Sequence, residues 1–275
     1  MLSDARPIKE GTVTVNAAAL FFKQSGEGSA LLLLHGVGPD SRSWSPAFED
    51  LARDHRVIAY DRRGYGRSAG APRTGGWRQH GEDAAAVLRE LDAGPASIVG
   101  WSGGGNVALH VAAEHPELVK ALVLAETGLP LPPVATASFL RTLARAKLEV
   151  RLRGGRRATE TFVRWVLSEG RGRSTWDGYS EERRERVLAN AAAMWSDFSM
   201  RGRPNLSRAQ LARVRCPVTL LVGDMGQPWF RRSAEAMAGM LPDAKVETIA
   251  GANHAFNDHQ PERFADAIRR GAARG

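Results

Sequence analysis

The fold is decided by the stretch Ile98–His110, whose sequence is IVGWSGGGNVALH. An apolar run that begins at Ala96 predicts a buried strand, and the small residues after Ser102 predict a helix. Gly100 and Gly104 complete a G-x-S-x-G pattern between the two. At such a sharp turn the serine adopts a sparsely allowed backbone conformation, and glycines two residues away avoid a collision with the crossing chain. The pattern is that of a nucleophile elbow, which lifts a serine hydroxyl above the edge of a sheet.

The same local pattern is found where a glycine-rich turn opens a helix and binds a phosphate. Two features of the surrounding sequence favour the elbow. A strand precedes the serine and a helix follows it, and candidate partner residues come later in the chain in the required order. We therefore predict that Ser102 is a nucleophile.

Short, mostly apolar segments recur along the chain and alternate with stretches of helical spacing. The predicted strands are residues 12–17, 20–24, 30–34, 57–61, 96–101, 120–125, 217–222 and 245–249. Continuous apolar runs predict strands buried on both faces, and alternation with helices predicts parallel pairing through right-handed crossovers. The fold class is therefore α/β, with helices on both faces of the sheet.

The alternation stops between residues 127 and 213, where arginine-bearing helical segments follow one another with no convincing strand. We expect a core of residues 1–126 and 214–275 interrupted by a helical insertion, 127–213. The whole chain carries a net charge of +8, but residues 127–215 hold 18 basic and 8 acidic side chains. Such a surface can attract acidic substrates, anionic membranes or nucleic acid. Because no aromatic–basic nucleic-acid motif accompanies the charge, we expect solvated helices and no nucleic-acid partner.

The composition is that of a soluble globular chain, with 43% hydrophobic and 25% charged residues. No apolar run reaches 18 residues, and the polar N-terminus lacks the apolar segment of a secretory signal. The single cysteine, Cys216, suits a reducing cytoplasm, where we expect the protein to reside. The sequence contains no metal-ligand cluster and no dinucleotide fingerprint, so we expect neither a metal nor a cofactor. A homodimer is compatible with the sequence.

A serine hydroxyl needs a base within hydrogen-bond reach and a third group that orients the base. These groups collect at the carboxyl ends of the strands in an open α/β sheet. His254 follows the last predicted strand and is the candidate base. Glu126 and Asp224 both preserve the order serine, acid, histidine. Glu126 is favoured because it ends an apolar strand, where a charge needs a partner, whereas Asp224 lies in a glycine-flanked turn that favours Asp for local reasons.

The backbone amides of Gly103 and Val37 are the candidate oxyanion hole, each worth about 3 kcal/mol in the transition state. We expect His35 to brace the loop that carries Val37. Arg62 and Arg63 either contact substrate or brace their own loop, and bracing is favoured. Aromatic residues of the insertion should form its core, with one or two facing an apolar cleft: Phe139, Phe162, Trp165, Trp176, Trp195 and Phe198.

Four ordered motifs resemble those of the α/β-hydrolase fold family: His35-Gly36-x-Gly38, Asp61-x-Arg63-Gly64-x-Gly66-x-Ser68, Gly100-x-Ser102-x-Gly104 and Gly251-x-x-His254. The resemblance covers nearly the whole chain apart from the insertion. It implies an eight-stranded, mostly parallel sheet with a helical cap that covers the serine and shapes the substrate pocket. In most of the family the acid lies three residues after the glycine of the next-to-last strand, a position that is Gly226 here. A subset places the acid where Glu126 stands, including haloalkane dehalogenases, whose nucleophile is a carboxylate. Zearalenone lactonases, with a serine and a glutamate, are more similar to this chain.

The function we expect is a serine hydrolase that cleaves an apolar, small-molecule ester or lactone through an acyl-enzyme on Ser102. The same groups can also support hydrolysis of a carbon–carbon bond or cofactor-free peroxidase or oxygenase chemistry, which the fold does not distinguish. A non-catalytic ligand-binding protein on the same scaffold is the alternative outside enzymology. It predicts ligand binding without turnover.

Overall fold

The computed structural model describes residues 6–72, 76–129, 134–170, 172–199 and 206–275. The strands of this described part are, in chain order, β1 (Lys9–Val15), β2 (Ala18–Ser25), β3 (Ala30–Leu34), β4 (Arg56–Tyr60), β5 (Ala96–Trp101), β6 (Val119–Ala125), β7 (Ser168–Gly170), β8 (Arg173–Ser174), β9 (Val218–Gly223) and β10 (Ala244–Ile249). The α-helices are α1 (Ser45–Leu51), α2 (Gly76–Glu90), α3 (Gly103–Glu114), α4 (Ala137–Arg153), α5 (Gly155–Val166), α6 (Glu181–Ala189), α7 (Ala191–Ser199), α8 (Arg208–Leu211), α9 (Pro228–Ala238), α10 (Phe256–His259) and α11 (Pro261–Ala272).

Eight strands form one sheet in the order β1-β2-β4-β3-β5-β6-β9-β10. β1 pairs with β2, and β2 with β4, in the antiparallel sense. All other neighbours in this sheet are parallel. The structure thus confirms the α/β fold class and the mostly parallel eight-stranded sheet, and it places β5, which leads to the elbow, near the centre.

The continuous apolar run of β3 has a direct explanation in the packing. Leu32 and Leu34 belong to a core on one face of the sheet, and Leu31 and Leu33 belong to the core on the other. All four side chains are fully buried, and burial of each leucine stabilises the fold by about 2 kcal/mol. Helices cover both faces, with α2 and α3 on the first and α1 and α11 on the second.

The segment between β6 and β9 is largely helical. Its Phe139, Phe162 and Trp195 form an aromatic core together with Trp229 and Phe230 of α9. The expectation that the segment contains no strand is wrong in one place. β7 and β8 form a short antiparallel hairpin, which lacks the apolar alternation that marks a strand in a sequence. Within the described ranges, no helix has the length and apolar character needed to cross a bilayer.

Candidate active site

Ser102 lies at the sharp turn between β5 and α3, with φ 54° and ψ −119°. This left-handed conformation is costly for a residue with a side chain and persists only where the surroundings impose it. The Ser102 amide donates a hydrogen bond to the Ala125 carbonyl on β6 (2.8 Å). A methyl group built on Gly104 would lie less than 3.0 Å from the backbone of Leu34, so the crossing chains require a glycine there. The predicted elbow is therefore present in the structure.

Glu126 is the residue next to Ser102 across the sheet. Trp101 and Ala125 are paired in the parallel register of β5 and β6, so the residues that follow them lie side by side. Glu126 also has a positive φ, 41°. Two adjacent strands thus end in residues with a strained backbone, a feature that concentrates at functional sites.

His254 follows β10 and turns its ring toward Glu126. Its Nδ1 lies 2.8 Å from Oε2 of Glu126, and the imidazole stacks on the ring of Phe230 with 4.5 Å between centroids. The Trp101 indole donates to the carbonyl oxygen of His254 (3.0 Å), which fixes the loop. The second carboxylate oxygen of Glu126 accepts the amide of Gly223 (3.0 Å). With Nδ1–H donated to the carboxylate, Nε2 of a neutral imidazole is an acceptor.

Asp224, the other candidate acid, has a different role in the structure. Its side chain is exposed and accepts a hydrogen bond from the Gly251 amide (2.7 Å) in the turn before His254. Gly226 faces the carboxylate of Glu126, because a methyl group built on it would lie less than 3.0 Å from Oε1. The carboxylate of Glu126 therefore fills the space that a side chain at position 226 would need. The structure brings Glu126, and not Asp224, to His254.

The loop that carries Val37 lies against the elbow. A methyl group built on Gly36 would be 3.0 Å from Cβ of Ser102, and one built on Gly103 would be 3.0 Å from Cγ1 of Val37. The two residues predicted to form the oxyanion hole are therefore neighbours beside the serine. This proximity is compatible with amides that converge on one oxygen.

His35 braces this loop and does not face the cavity. The Arg62 amide donates to its Nε2 (2.9 Å), so Nδ1 carries the proton and donates to the Gly36 carbonyl (2.8 Å). Burial, together with the charge of Arg62, lowers the pKa of His35 to about 4. The ring is therefore neutral at physiological pH, as both hydrogen bonds require.

Arg62 is fully buried and holds the same loop through its side chain. Its guanidinium donates to the carbonyl oxygens of His35 (3.2 Å) and Gly36 (3.0 Å) and pairs with Asp197 on α7 (3.2 Å). The expectation that Arg62 braces its surroundings is confirmed. Arg63 also braces, through a double hydrogen bond to the buried Asp83 (2.8 Å each).

Asp197 is the centre of a buried polar cluster that sequence analysis missed. Besides Arg62, it accepts hydrogen bonds from Tyr65 (2.7 Å) and His80 (3.0 Å). Burial alone would raise the pKa of Asp197, but the charge and hydrogen bond of His80, with those of Arg62 and Tyr65, outweigh it and lower the pKa to about 2. One signal was available in the sequence, because Asp197 is the only charged residue of the otherwise apolar and small α7.

Asn190, just before α7, makes a second polar connection to the core. Its Nδ2 donates to the Gly38 carbonyl (2.8 Å), and its Oδ1 accepts the Gly66 amide (2.9 Å). Asn190 and Asp197 together tie the helical segment to the loop beside the serine. Nothing in the local sequence pattern signals the role of this asparagine.

A cavity of about 420 Å³ lies between the sheet edge and the helical segment. Ser102, His254 and Val37 line its floor. The helical segment contributes Arg183 and Arg186 of α6, together with apolar side chains at the end of α5 and on α6: Phe162, Val163, Val166, Leu167 and Val187. Among the aromatic residues expected to face a cleft, Phe162 does so. Among the described residues, no group of His, Cys, Asp or Glu side chains is arranged to hold a metal ion.

Comparison with known proteins gives the family. The model of the alpha/beta hydrolase fold matches residues 29–261. A pimeloyl-[acyl-carrier protein] methyl ester esterase of Chromobacterium violaceum is 30% identical over 256 residues, covering 88% of this chain and 94% of that protein. The chain therefore belongs to the α/β-hydrolase fold family. As an α/β-fold hydrolase it is an enzyme, and the predicted resemblance is confirmed.

Two solved structures illustrate the similarity in three dimensions. A thermophilic esterase from Thermogutta terrifontis has a TM-score of 0.74 at 27% identity, covering 95% of this chain and 97% of that one. Est816, described as an N-acyl homoserine lactone degrading enzyme, has a TM-score of 0.77 at 20% identity and covers 94% of this chain and 99% of its own. The second similarity is one of fold alone.

Proposed function

We propose that this hydrolase cleaves a carboxylic ester or lactone through an acyl-enzyme on Ser102, with His254 as general base, Glu126 as the acid that orients it, and the amides of Val37 and Gly103 as the oxyanion hole. The observation that carries the proposal is the 2.8 Å contact between Nδ1 of His254 and Oε2 of Glu126, beside a strained serine that lines the same cavity as the imidazole.

The reaction follows from these positions. Oγ of Ser102 attacks the carbonyl carbon while Nε2 of His254 takes its proton. Glu126 stabilises the imidazolium that forms, and the oxyanion accepts hydrogen bonds from the two amides. Collapse of the tetrahedral intermediate expels the alcohol, which receives the proton from His254. Water, activated by the same imidazole, then releases the acid and regenerates the serine. In a lactone the alcohol and the acid belong to one product.

One wall of the cavity supports an uncharged, apolar acyl group. Phe162, Val163 and Val166 line the same cavity as Ser102, and an apolar wall favours alkyl or aryl chains over hydrated groups. Charged side chains line other parts of the cavity, where a polar part of the substrate can be accommodated: Asp40, Arg42, Arg183, Arg186 and Asp258. The ester arm of the proposal gains support from the esterases among the relatives. The lactone arm follows from the chemistry, because a lactone is a cyclic ester that the same groups can open. Residues 127–213 form, in this proposal, a cap over a core of residues 1–126 and 214–275.

Labelling with a fluorophosphonate, followed by mass spectrometry of the adduct, tests the nucleophile. We expect the label on Ser102 and turnover of p-nitrophenyl esters or small lactones that falls about a million-fold in Ser102→Ala. Ser97→Ala is the matched control, because Ser97 is a buried serine of β5, the strand that leads to Ser102, and does not line the cavity. A label elsewhere, or turnover by Ser102→Ala equal to that of the parent, would overturn the proposal. Ligand binding without any turnover would favour a binding protein instead.

A further inference from the structure

The outward face of α4 carries an unusual concentration of exposed leucines. Six large apolar side chains are exposed in the described part of the chain, and three of them lie on α4: Leu140 (53% exposed), Leu148 (55%) and Leu152 (71%). They are spaced by eight and four residues, so they share one face of the helix. The opposite face packs into the protein through Phe139 and Ala146. The leucines therefore lie on the side that points away from the molecule.

Three cations on the outward side of α4 have no carboxylate at ion-pair distance among the residues that the structure describes. They are the exposed Arg141, Lys147 and Arg151. Arg145 pairs with Glu149 (3.2 Å), the only acidic residue of the helix.

The next two helices differ in this respect. Arg156 pairs with Glu185 (2.6 Å), Arg164 with Glu160 (3.0 Å) and Arg183 with Asp258 (2.5 Å). Charge neutralisation by neighbours is thus common on this part of the surface, and α4 is an exception to it. The basic excess of residues 127–215 is left uncompensated where the exposed leucines are.

We propose that this outward face of α4 docks on an anionic lipid surface. A helix with exposed leucines and a surplus of Lys and Arg has the composition of segments that lie in the plane of a membrane interface. The leucines enter the boundary between headgroups and acyl chains, and the long arginine and lysine side chains extend to the phosphates. Each such cation near an anionic surface increases the affinity of the protein for the membrane about fivefold.

Two other occupants fit the face less well. A second copy of the chain, packed about a two-fold axis on α4, would bring the unpaired cations of both copies together. A nucleic acid would bind the cations through its phosphates, but the phosphate backbone has no apolar surface for the three exposed leucines to pack against. A lipid surface satisfies both the charge and the apolar area.

Co-sedimentation with vesicles tests the inference. We expect the protein to bind phosphatidylcholine vesicles that contain about one third phosphatidylglycerol and to dissociate as NaCl rises to about 0.5 M, where screening is strong. Vesicles of phosphatidylcholine alone should bind far less. Equal binding to both kinds of vesicle, or binding to neither at low salt, would overturn the proposal.

Two pairs of variants separate the contributions. Arg141→Gln/Arg151→Gln should weaken binding about twenty-five-fold, whereas Lys9→Gln/Arg232→Gln, which removes two exposed cations elsewhere, should leave it unchanged. Leu148→Gln/Leu152→Gln should weaken it about a hundredfold. The control for the leucine variant is Met225→Gln/Val246→Gln, which replaces two exposed apolar side chains elsewhere and should leave binding unchanged.

Thermal unfolding and fluorophosphonate labelling confirm that each variant is folded, and they do not depend on the lipid. If the α4 variants bind vesicles as their controls do, the proposal is wrong. It is also wrong if duplex DNA or an acidic protein binds as tightly as the anionic vesicles and the leucine variants do not change that binding. None of these outcomes affects the assignment of the hydrolytic site.

Discussion

The carboxylate of Glu126 occupies the space that a side chain at position 226 would fill. A methyl group on Gly226 would lie less than 3.0 Å from Oε1 of Glu126, and the other oxygen contacts Nδ1 of His254 at 2.8 Å. Position 226 is the one at which most members of the fold family carry their acid. A carboxylate at the end of either strand can therefore reach the same edge of the His254 ring. In this chain the carboxylate in contact lies at the end of β6.

Replacement of Glu126, the proposed orienting acid, should nearly abolish activity. We expect Glu126→Gln to reduce kcat about ten-thousand-fold, because an amide cannot stabilise the imidazolium and can favour the wrong tautomer. Asp224→Asn is the matched control and should change kcat by less than about threefold, since Asp224 is exposed and binds the Gly251 amide rather than His254. Steady-state rates on one activated ester measure both. A comparable loss in the two variants would remove the basis for choosing Glu126.

A carboxylate at position 226 should partly replace that of Glu126. In Glu126→Ala, a second change, Gly226→Asp, returns a carboxylate to the same space, and we expect it to recover about a hundredfold of the lost rate, since a misplacement of about 1 Å costs about that factor. Gly226→Asp alone should be destabilising, because its carboxylate meets that of Glu126. A double variant no faster than Glu126→Ala would contradict the shared space.

The elbow should tolerate no side chain at Gly104. The methyl group of Gly104→Ala would collide with the backbone of Leu34 and His35, so we expect a loss of about 3 kcal/mol in the free energy of unfolding. In Gly70→Ala the new methyl group meets nothing within 4 Å, and unfolding should change little. Urea denaturation gives both values. Equal stability of the two variants would show that the chains cross less closely than described.

Asp197 should make folding sensitive to acid. Its pKa is about 2 in the folded protein, below its ordinary value of 3.8. A carboxyl group with a lowered folded pKa stabilises the protein above its unfolded pKa, and this stability is lost as the pH falls from about 4 to about 2, by about 2 kcal/mol in total.

The variant Asp197→Asn isolates this contribution. It leaves Arg62 as an unpaired buried cation, which should cost about 3 kcal/mol or more at pH 7. Its unfolding free energy should then decline less than that of the parent between pH 4 and pH 2. Urea denaturation at pH 7, 4 and 2 tests the difference. Parallel curves for the two proteins would rule out the lowered pKa.

The parts of this molecule that sequence analysis predicted have local signals. Leu31 to Leu34 must face two cores, which produces an unbroken apolar run, and the sharp turn at Ser102 requires glycines at fixed spacing. Glu126 was identifiable because a charge ends an apolar strand. Glu126 and His254 are 128 positions apart in the sequence. Their contact depends on the order and register of the strands in the sheet, which the local sequence does not specify.

The parts that were missed depend on tertiary packing, and the lone charge of α7 is the one local signal among them. Asp197 and Asn190 meet residues more than 100 positions away, and each has the residue type of an ordinary surface or cap position. The hairpin of β7 and β8 is held by Leu167 and the residues that follow it rather than by an apolar face. Such contacts leave no periodicity in the sequence from which to predict them.

The hydrogen bonds of Asn190 to both Gly38 and Gly66 have a consequence for how substrates enter the cavity. These two hydrogen bonds join the loop beside Ser102 to the helical segment that lies over the cavity, so both bonds must break before the two separate. The exposed Ser45 and Pro46 line the cavity where it meets solvent. Substitutions at these two positions should therefore change which substrates are admitted and leave the rate of bond cleavage unchanged.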